Sequence, residues 1–331
     1  MKAIVTGGAG FVGRHLTKGL LDRGWEVLCV DSIFPGSGAI DPRTSNWYFN
    51  PFKYTNYRFT KVDCRIFFEE NREDFDAIFH LAAVVGGRAT IDLNPLAVAQ
   101  DLSIDAEMWG WAARLKTARV VNFSSSAAYP TNLQIGEQVS IKLREDMIQF
   151  GEVIGSPDMT YGWAKLTSEY LGHIAFKNYG IKNMSYRPFS GYGPDQDIAY
   201  PFPSICKRAV EHHPSNPFVV WGSGKQVRDF IHIDDCVEGI LNTMFAIDNG
   251  EALNLSTGVG TSFLEFAKTA LRILGKECEV VGDLEKPTGV QNRIGDTTKQ
   301  VNLGFTNKRL FTTGIVEGVN YWKHLKDDRR Y

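Results

Sequence analysis

Thr6-Gly7-Gly8-Ala9-Gly10-Phe11-Val12-Gly13 decides how this chain is read. The stretch follows a short apolar run at 3–6 and opens an amphipathic segment over 10–23. Its glycines recur as G-x-x-G-x-x-G between a predicted strand and a predicted helix. A strand turning directly into a helix leaves the first N–H groups of that helix unpaired, and unpaired N–H groups attract an anion. Glycine is needed where the chain turns tightly and where backbone approaches a pyrophosphate closely. The stretch therefore reads as a dinucleotide cradle, with Gly7, Gly10, Phe11, Val12 and Gly13 against the cofactor. The competing reading is a glycine-rich turn that binds nothing.

Working outward, Asp31 ends the next strand candidate. A carboxylate there accepts hydrogen bonds from ribose hydroxyls and repels a 2′-phosphate. The following residue is Ser32 and not an arginine, so NAD is favoured over NADP. After the third strand candidate come Asp63 and Cys64, placed to meet the adenine; Asp63 reads equally as a strand-end cap. His80-Leu81-Ala82-Ala83 closes the fourth, and Leu81, Ala82 and Ala83 let backbone pass near a cofactor. His80 alone reads more simply as a core or strand-end histidine.

Apolar runs at 3–6, 26–31, 57–62, 77–81, 119–124 and 184–188 alternate with helical patterns at 10–23, 96–115 and 161–179. Such alternation implies a parallel sheet covered on both faces. Right-handed crossovers then give an α/β, doubly wound Rossmann sheet, followed by a smaller C-terminal substrate-binding lobe. The expected division is an NAD-binding domain over 1–188, with a return segment near 226–257, interleaved with a lobe over 189–331. Residues 34–56 have no period and read as a long loop over the site. Pro194, Pro201, Pro203, Pro214 and Pro217 point to irregular excursions. Later helical patterns cover 232–244 and 262–274, the second opening with a Ser262-x-x-Glu265 capping box.

Bulk properties narrow the partners. A net charge of -2 over 331 residues gives no reason to expect nucleic acid or an anionic membrane. No apolar stretch has membrane-spanning length. Cys29, Cys64, Cys206, Cys236 and Cys278 show no metal-ligand spacing, so free thiols, no metal and a cytoplasmic setting are expected.

Tyr161-Gly162-Trp163-Ala164-Lys165 places a phenol and an ammonium one helical turn apart on one face. A phenol near pKa 10 is a poor base at neutral pH. The Lys165 charge and a positive nicotinamide ring both favour the phenolate, which lowers that value toward usefulness. Phe123-Ser124-Ser125-Ser126-Ala127-Ala128-Tyr129-Pro130 follows the fifth strand candidate and offers hydroxyls.

Together these motifs resemble the extended short-chain dehydrogenase/reductases, specifically the nucleotide-sugar epimerases and dehydratases. The similarity covers essentially the whole chain. It includes the glycine turn, Asp31, Asp63, His80 to Ala83, the serines, Tyr161 and Lys165, Arg187-Pro188 and Tyr192-Gly193-Pro194. It continues through Gly222-Ser223-Gly224-Lys225-Gln226-Val227-Arg228-Asp229-Phe230-Ile231-His232 to Arg293 and Asp296. The resemblance implies that Ser125, Tyr161 and Lys165 are catalytic, with Ser124 and Ser126 left as alternatives for the serine. It implies that Lys165 and Tyr161 also contact the cofactor, as does Pro188. It further implies that Arg228 and Arg293 grip the nucleotide diphosphate. A surface salt-bridge role is the plainer alternative for either arginine.

Departures from the family pattern indicate the reaction. Dehydratases of the family carry an Asp-Glu pair where this chain has Ser126-Ala127, and its decarboxylases keep a Glu at the second position. Val84-Val85-Gly86-Gly87 resembles the substrate loop of GDP-mannose 3,5-epimerases and GDP-fucose synthases, which makes Gly86 and Gly87 candidate substrate contacts. Pro287-Thr288-Gly289-Val290-Gln291-Asn292-Arg293 resembles a phosphate-binding segment of the former. Those enzymes place a catalytic cysteine at the position of Ala127, and a second Lys or His beyond the Tyr-Gly-Pro motif. Leu102 stands where many relatives have a supporting Asn. What remains needs only hydride and one proton. The expected protein is an NAD-dependent epimerase acting at C4 of a GDP- or UDP-linked sugar, through a transient 4-keto intermediate. A C4 dehydrogenase or ketoreductase, a 3,5-epimerase-like enzyme, and an NAD-binding scaffold or sensor are the alternatives. Apolar faces over 96–115 and 161–179 point to a homodimer.

Overall fold

The computed structural model describes residues 1–45, 47–85, 88–115, 119–136 and 141–328. Seven strands among them form one sheet: β1 Lys2–Thr6, β2 Glu26–Asp31, β3 Tyr57–Lys61, β4 Ala77–His80, β5 Arg119–Phe123, β6 Asn183–Pro188 and β7 Asn249–Leu255. Their order is 3-2-1-4-5-6-7 and every neighbouring pair is parallel. The side chains alternate as a two-residue period requires. Ala3, Val5, Val27, Cys29, Phe79 and Val121 join one buried cluster, while Ile4, Leu28, Val30, Ile78 and Val120 join the other.

Helices cover both faces. α1 (Phe11–Asp22) and α5 (Ile233–Thr243) bury Leu16, Leu20, Val237 and Ile240 against the first cluster. On the opposite face, α2 (Cys64–Glu70), α3 (Gln100–Leu115) and α4 (Met159–Tyr179) bring in Phe68, Met108, Trp109, Trp111 and Ala175. The strand order reverses between β1 and β4. A crevice opens at the carboxyl ends of strands at such a reversal, and ligands bind there.

A second sheet joins Gly260–Ser262, Val227–His232, Asn292–Gly295 and Lys142–Leu143, with Ser190–Tyr192 also paired to Val227–His232. Beside it, helices Pro201–Glu211, Phe263–Ile273 and Phe311–Asp327 share a core of Phe202, Phe266, Ile315 and Trp322.

Two local expectations are corrected and one unread helix is added. The Pro-rich stretch after residue 194 contains the regular helix Pro201–Glu211. Its two prolines fall in the first turn, where a missing N–H removes no intrahelical bond. The helical pattern over 96–115 is two helices, Pro95–Val98 and Gln100–Leu115, because periodicity does not register a break of one residue at Ala99. α2 escaped notice because seven residues are too few to show a period. The aperiodic stretch after β2 does lie against the glycine turn: Ile40 N–H donates to Ala9 O (3.0 Å), and the Trp47 indole donates to Ile40 O (2.8 Å).

Candidate active site

The glycine turn is built at the strand reversal. Gly7 has φ +68°, and a Cβ on it would lie 2.6 Å from Ala82 N and 2.7 Å from Leu81 C. A Cβ on Gly13 would lie 2.2 Å from Gly7 O. Both glycines are thus demanded by the chain's own packing. Gly10 is different: a Cβ there meets only Gly7 O, at 3.2 Å, within 4 Å. The chain leaves room in front of Gly10, and α1 starts there without a side-chain cap. Phe11, Val12 and Gly13 therefore supply first-turn N–H groups toward open space, the donor set a pyrophosphate requires.

Asp31 stands beside this turn. Its carboxylate is buried and accepts from Ala9 N–H (3.0 Å) and Ile33 N–H (2.8 Å). Burial pushes its pKa up, against those two bonds. Holding Ile33 in this bond requires φ +53°, an uncommon backbone conformation for a β-branched residue. Asp63 caps α2, accepting from Arg65 N–H at 2.9 Å and pairing with the Arg65 guanidinium at 2.7 Å. Cys64 begins α2, buried in the apolar cluster beneath the sheet. Its thiol is pushed up to about 12 by burial. Leu81, Ala82 and Ala83 leave β4 partly exposed over the turn. Pro188 ends β6, two residues beyond Tyr186, the partner of Phe123 in β5. His80 is a satisfied core residue, between Thr6 Oγ1 (2.8 Å) and Asp105 Oδ1 (3.0 Å).

At the reacting end, the first turn of α4 docks on the serine turn. Gly162 makes this possible, since a Cβ there would lie 2.4 Å from Ala127 O. Asp158 N–H donates to Ala127 O (2.9 Å) at the same junction. The result brings Tyr161 close enough to Ser125 for the serine hydroxyl to favour the phenolate. Ser125 Oγ also accepts from Ala127 N–H (3.1 Å). Ser124 is occupied elsewhere, donating to buried Glu169, which in turn holds Arg187 through bonds of 2.9 and 2.6 Å. Ser126 is buried in the short turn. Of the three serines, Ser125 is the one that meets the phenol. Lys165 Nζ lies 5.8 Å from the Tyr161 ring centroid.

Burial raises the Tyr161 pKa above the usual phenol value, outweighing Lys165, Ser125 and Arg293, while Asp101 pushes the same way as burial. Lys165 alone does not make this tyrosine acidic, because burial outweighs it. Position 102 supplies no support either: Leu102 is 42 % exposed, whereas its neighbour Asp101 is fully buried, 3.8 Å from Lys165 Nζ.

Arg228 and Arg293 are register partners on adjacent parallel strands, so their side chains leave the same face of the second sheet. Arg228 donates to Val227 O (2.8 Å) and Thr288 O (3.0 Å). Arg293 donates to Gln134 Oε1 (2.6 Å) and Asp158 Oδ2 (2.9 Å), close to the start of α4. Gly86 and Gly87 lie outside the described residues. Sequence reasoning missed Gly162, Glu169 and Asp101; Gly162, at least, was legible as the glycine directly after the tyrosine.

A glycine turn opening a helix at the strand reversal, with a buried carboxylate beside it and a serine, a tyrosine and a lysine gathered at the start of α4, is the arrangement of an NAD-dependent enzyme of the short-chain dehydrogenase/reductase type. Comparison with known proteins narrows the class. The profile of the NAD dependent epimerase/dehydratase family matches residues 3–256. The chain belongs to that family, whose members act on nucleotide sugars, and it uses NAD. It is 30% identical over 352 residues to the uncharacterized UDP-glucose epimerase YtcB of Bacillus subtilis, covering 96% of this chain and 100% of that one. The UDP-glucose 4-epimerase of Thermotoga maritima, solved with UDP-glucose, superposes with a TM-score of 0.81 at 25% identity, over 98% of this chain and 100% of that one. The UDP-glucuronic acid 4-epimerase of Bacillus cereus, solved with UDP-glucuronic acid and NAD, gives 0.80 at 25% identity over 98% and 100%. Among the described residues no helix is long and apolar enough to cross a membrane.

Proposed function

We propose that this protein epimerises a UDP- or GDP-linked hexose at C4, using residues 1–188 and the return near 226–257 for NAD and 189–331 for the sugar nucleotide. The observation that carries the reading is the junction of the serine turn with the start of α4, to which Arg293, the register partner of Arg228, is bonded through Asp158. It offers one proton-transfer group with two cations for a diphosphate. The serine turn itself has no ionisable side chain at Ser126 or Ala127 with which to drive an elimination.

The two guanidiniums bind the diphosphate as forks. That grip sets the sugar with its 4-hydroxyl between Ser125 and Tyr161. Ser125 donates to the 4-oxygen, and Tyr161 accepts its proton as the carbinol becomes a ketone. When bound, NAD supplies the acceptor for the C4 hydrogen and a positive ring that favours the phenolate. Lys165 stabilises the same phenolate from within α4. The ketone turns over in the site, and Tyr161 returns the proton to the new hydroxyl on the opposite face. Because no net oxidation occurs, the cycle needs no external reductant.

Tyr161→Phe removes the proton carrier and keeps the ring. The expected loss in turnover is roughly 10²–10⁴-fold, with NAD still bound. Undiminished turnover would remove Tyr161 from the chemistry. The proposal extends to a homodimer in a reducing, cytoplasmic setting. Leu102 on α3, with Trp163 and Tyr170 one heptad apart on α4, leaves large apolar side chains exposed on neighbouring helices. Light scattering at a mass of one chain would count against the dimer.

A further inference from the structure

Lys165 has two claimants. On one side is Tyr161, its ring centroid 5.8 Å from Nζ. Asp101, in the first turn of α3, is the other, with Oδ2 3.8 Å away. Asp101 is held in place by its other oxygen, which accepts from Val84 N–H at 2.6 Å. Among the described residues Oδ2 has no hydrogen-bond partner. One turn along α3, buried Asp105 faces the same region, and its Oδ1 lies 3.0 Å from His80 Nε2 on β4.

The cluster therefore holds two carboxylates, Asp101 and Asp105, around one ammonium, and is one negative charge in excess when both are ionised. That imbalance accounts for the directions of the shifts. Burial pushes Asp101 up to about 6, because a single cation at 3.8 Å, shared with Asp105, does not compensate it. Burial also acts to lower Lys165, but Asp101 and then Asp105 outweigh it, and the ammonium is retained. A charge held in a buried cluster is screened little by solvent and acts on all its neighbours.

We propose that Asp101 is a positioning residue for Lys165: its carboxylate competes with Tyr161 for the ammonium and so sets the pH at which that phenol gives up its proton. This rests on the reading of Tyr161 as the acid/base group. With Asp101 ionised, the Lys165 charge is divided and the phenol stays protonated. As pH falls toward about 6, Asp101 takes up a proton and releases Lys165 to the phenol.

The test reads the phenol directly, by ultraviolet difference titration of the NAD-saturated protein with the matching Tyr161→Phe protein subtracted. Asp101→Asn keeps the shape and the acceptor for Val84 while removing the charge. It should lower the Tyr161 titration by roughly half to one pH unit, the effect of removing one nearby buried charge. A titration that stays in place or rises, in a variant that still binds NAD, overturns the proposal and leaves Asp101 a packing residue. Should Asp101→Asn not fold, Asp101→Ser decides by the same titration: a Tyr161 curve moved down supports the proposal, and one that stays in place or rises overturns it. Full turnover by Tyr161→Phe would defeat the acid/base assignment separately, without touching either optical readout.

Discussion

Glu169→Gln is the substitution whose consequence follows most directly from the structure. Glu169, on α4 one turn beyond Lys165, pairs in bidentate fashion with Arg187 of β6 at 2.9 and 2.6 Å, each side chain 2 % exposed. It also accepts from Ser124 at the end of β5. One carboxylate thus ties the helix carrying Tyr161 to the strand leading into Ser125. Arg187 has other neighbours, Glu145 O at 3.3 Å and the Tyr129 ring at 4.7 Å, but among the described residues no second carboxylate is bonded to it. Glutamine keeps the volume, presents an N–H to the guanidinium where an oxygen stood, and leaves the cation buried without a counter-charge. Breaking a buried pair in this way costs about 3–5 kcal/mol. At roughly 2 °C per kcal/mol for a chain of this size, the melting temperature should fall by roughly 6–10 °C. Circular dichroism melts and urea titrations measure it. A control separates charge from packing: Glu169→Leu with Arg187→Met removes both ions and should recover most of the loss. A single variant within about 1 kcal/mol of the parent, or a double variant no better than the single, would refute the argument.

Other predictions separate the roles of neighbouring residues. Gly10→Ala should melt near the parent but bind NAD at least about tenfold more weakly by calorimetry, since its methyl enters the space left for the pyrophosphate; unchanged affinity would count against the cradle. Gly7→Ala should lose more than about 1 kcal/mol of stability as well, because its φ is +68° and its methyl meets the Ala82 backbone. Asp195→Asn should cost about 3 kcal/mol near neutral pH by uncovering Arg14, which is 1 % exposed. Burial acts to raise the Asp195 pKa, but His15 and Arg14 hold it below the usual carboxylate value. Its stabilisation is therefore present above the unfolded value and lost as pH falls through the folded one. Parent and variant stabilities should accordingly converge in acid, and a constant gap down to pH about 2 would contradict the assignment.

The cofactor end was legible because its information is local. Strand, glycine turn, helix and Asp31 lie within the first 31 residues, and each residue type has one dominant physical reason to be there. The reacting end was legible only in part. Tyr161 and Lys165 share a helix face by spacing, but the choice of Ser125 over Ser124 and Ser126 rests on the resemblance alone, since their difference lies in what each meets across the fold. The sequence also could not foresee the raised Tyr161 pKa, which arises from burial and from a carboxylate sixty residues earlier in the chain. Attention to position 102 missed the neighbouring Asp101 because one step along a helix turns a side chain by about 100°. The prolines of Pro201–Glu211 misled for a related reason, since their meaning depends on which turn of a helix they occupy.

The central claim is that Tyr161 and Ser125 work on a single carbinol carbon whose hydrogen leaves and returns. NAD-loaded protein given UDP-glucose, UDP-glucuronic acid and GDP-mannose, each deuterated at C4, tests it by nuclear magnetic resonance and mass spectrometry of the products. The prediction is inversion at C4 of at least one of them, with deuterium still at C4 and no solvent hydrogen at C3 or C5. Solvent hydrogen entering C3 or C5, or stoichiometric reduced cofactor with no inverted product, would contradict it.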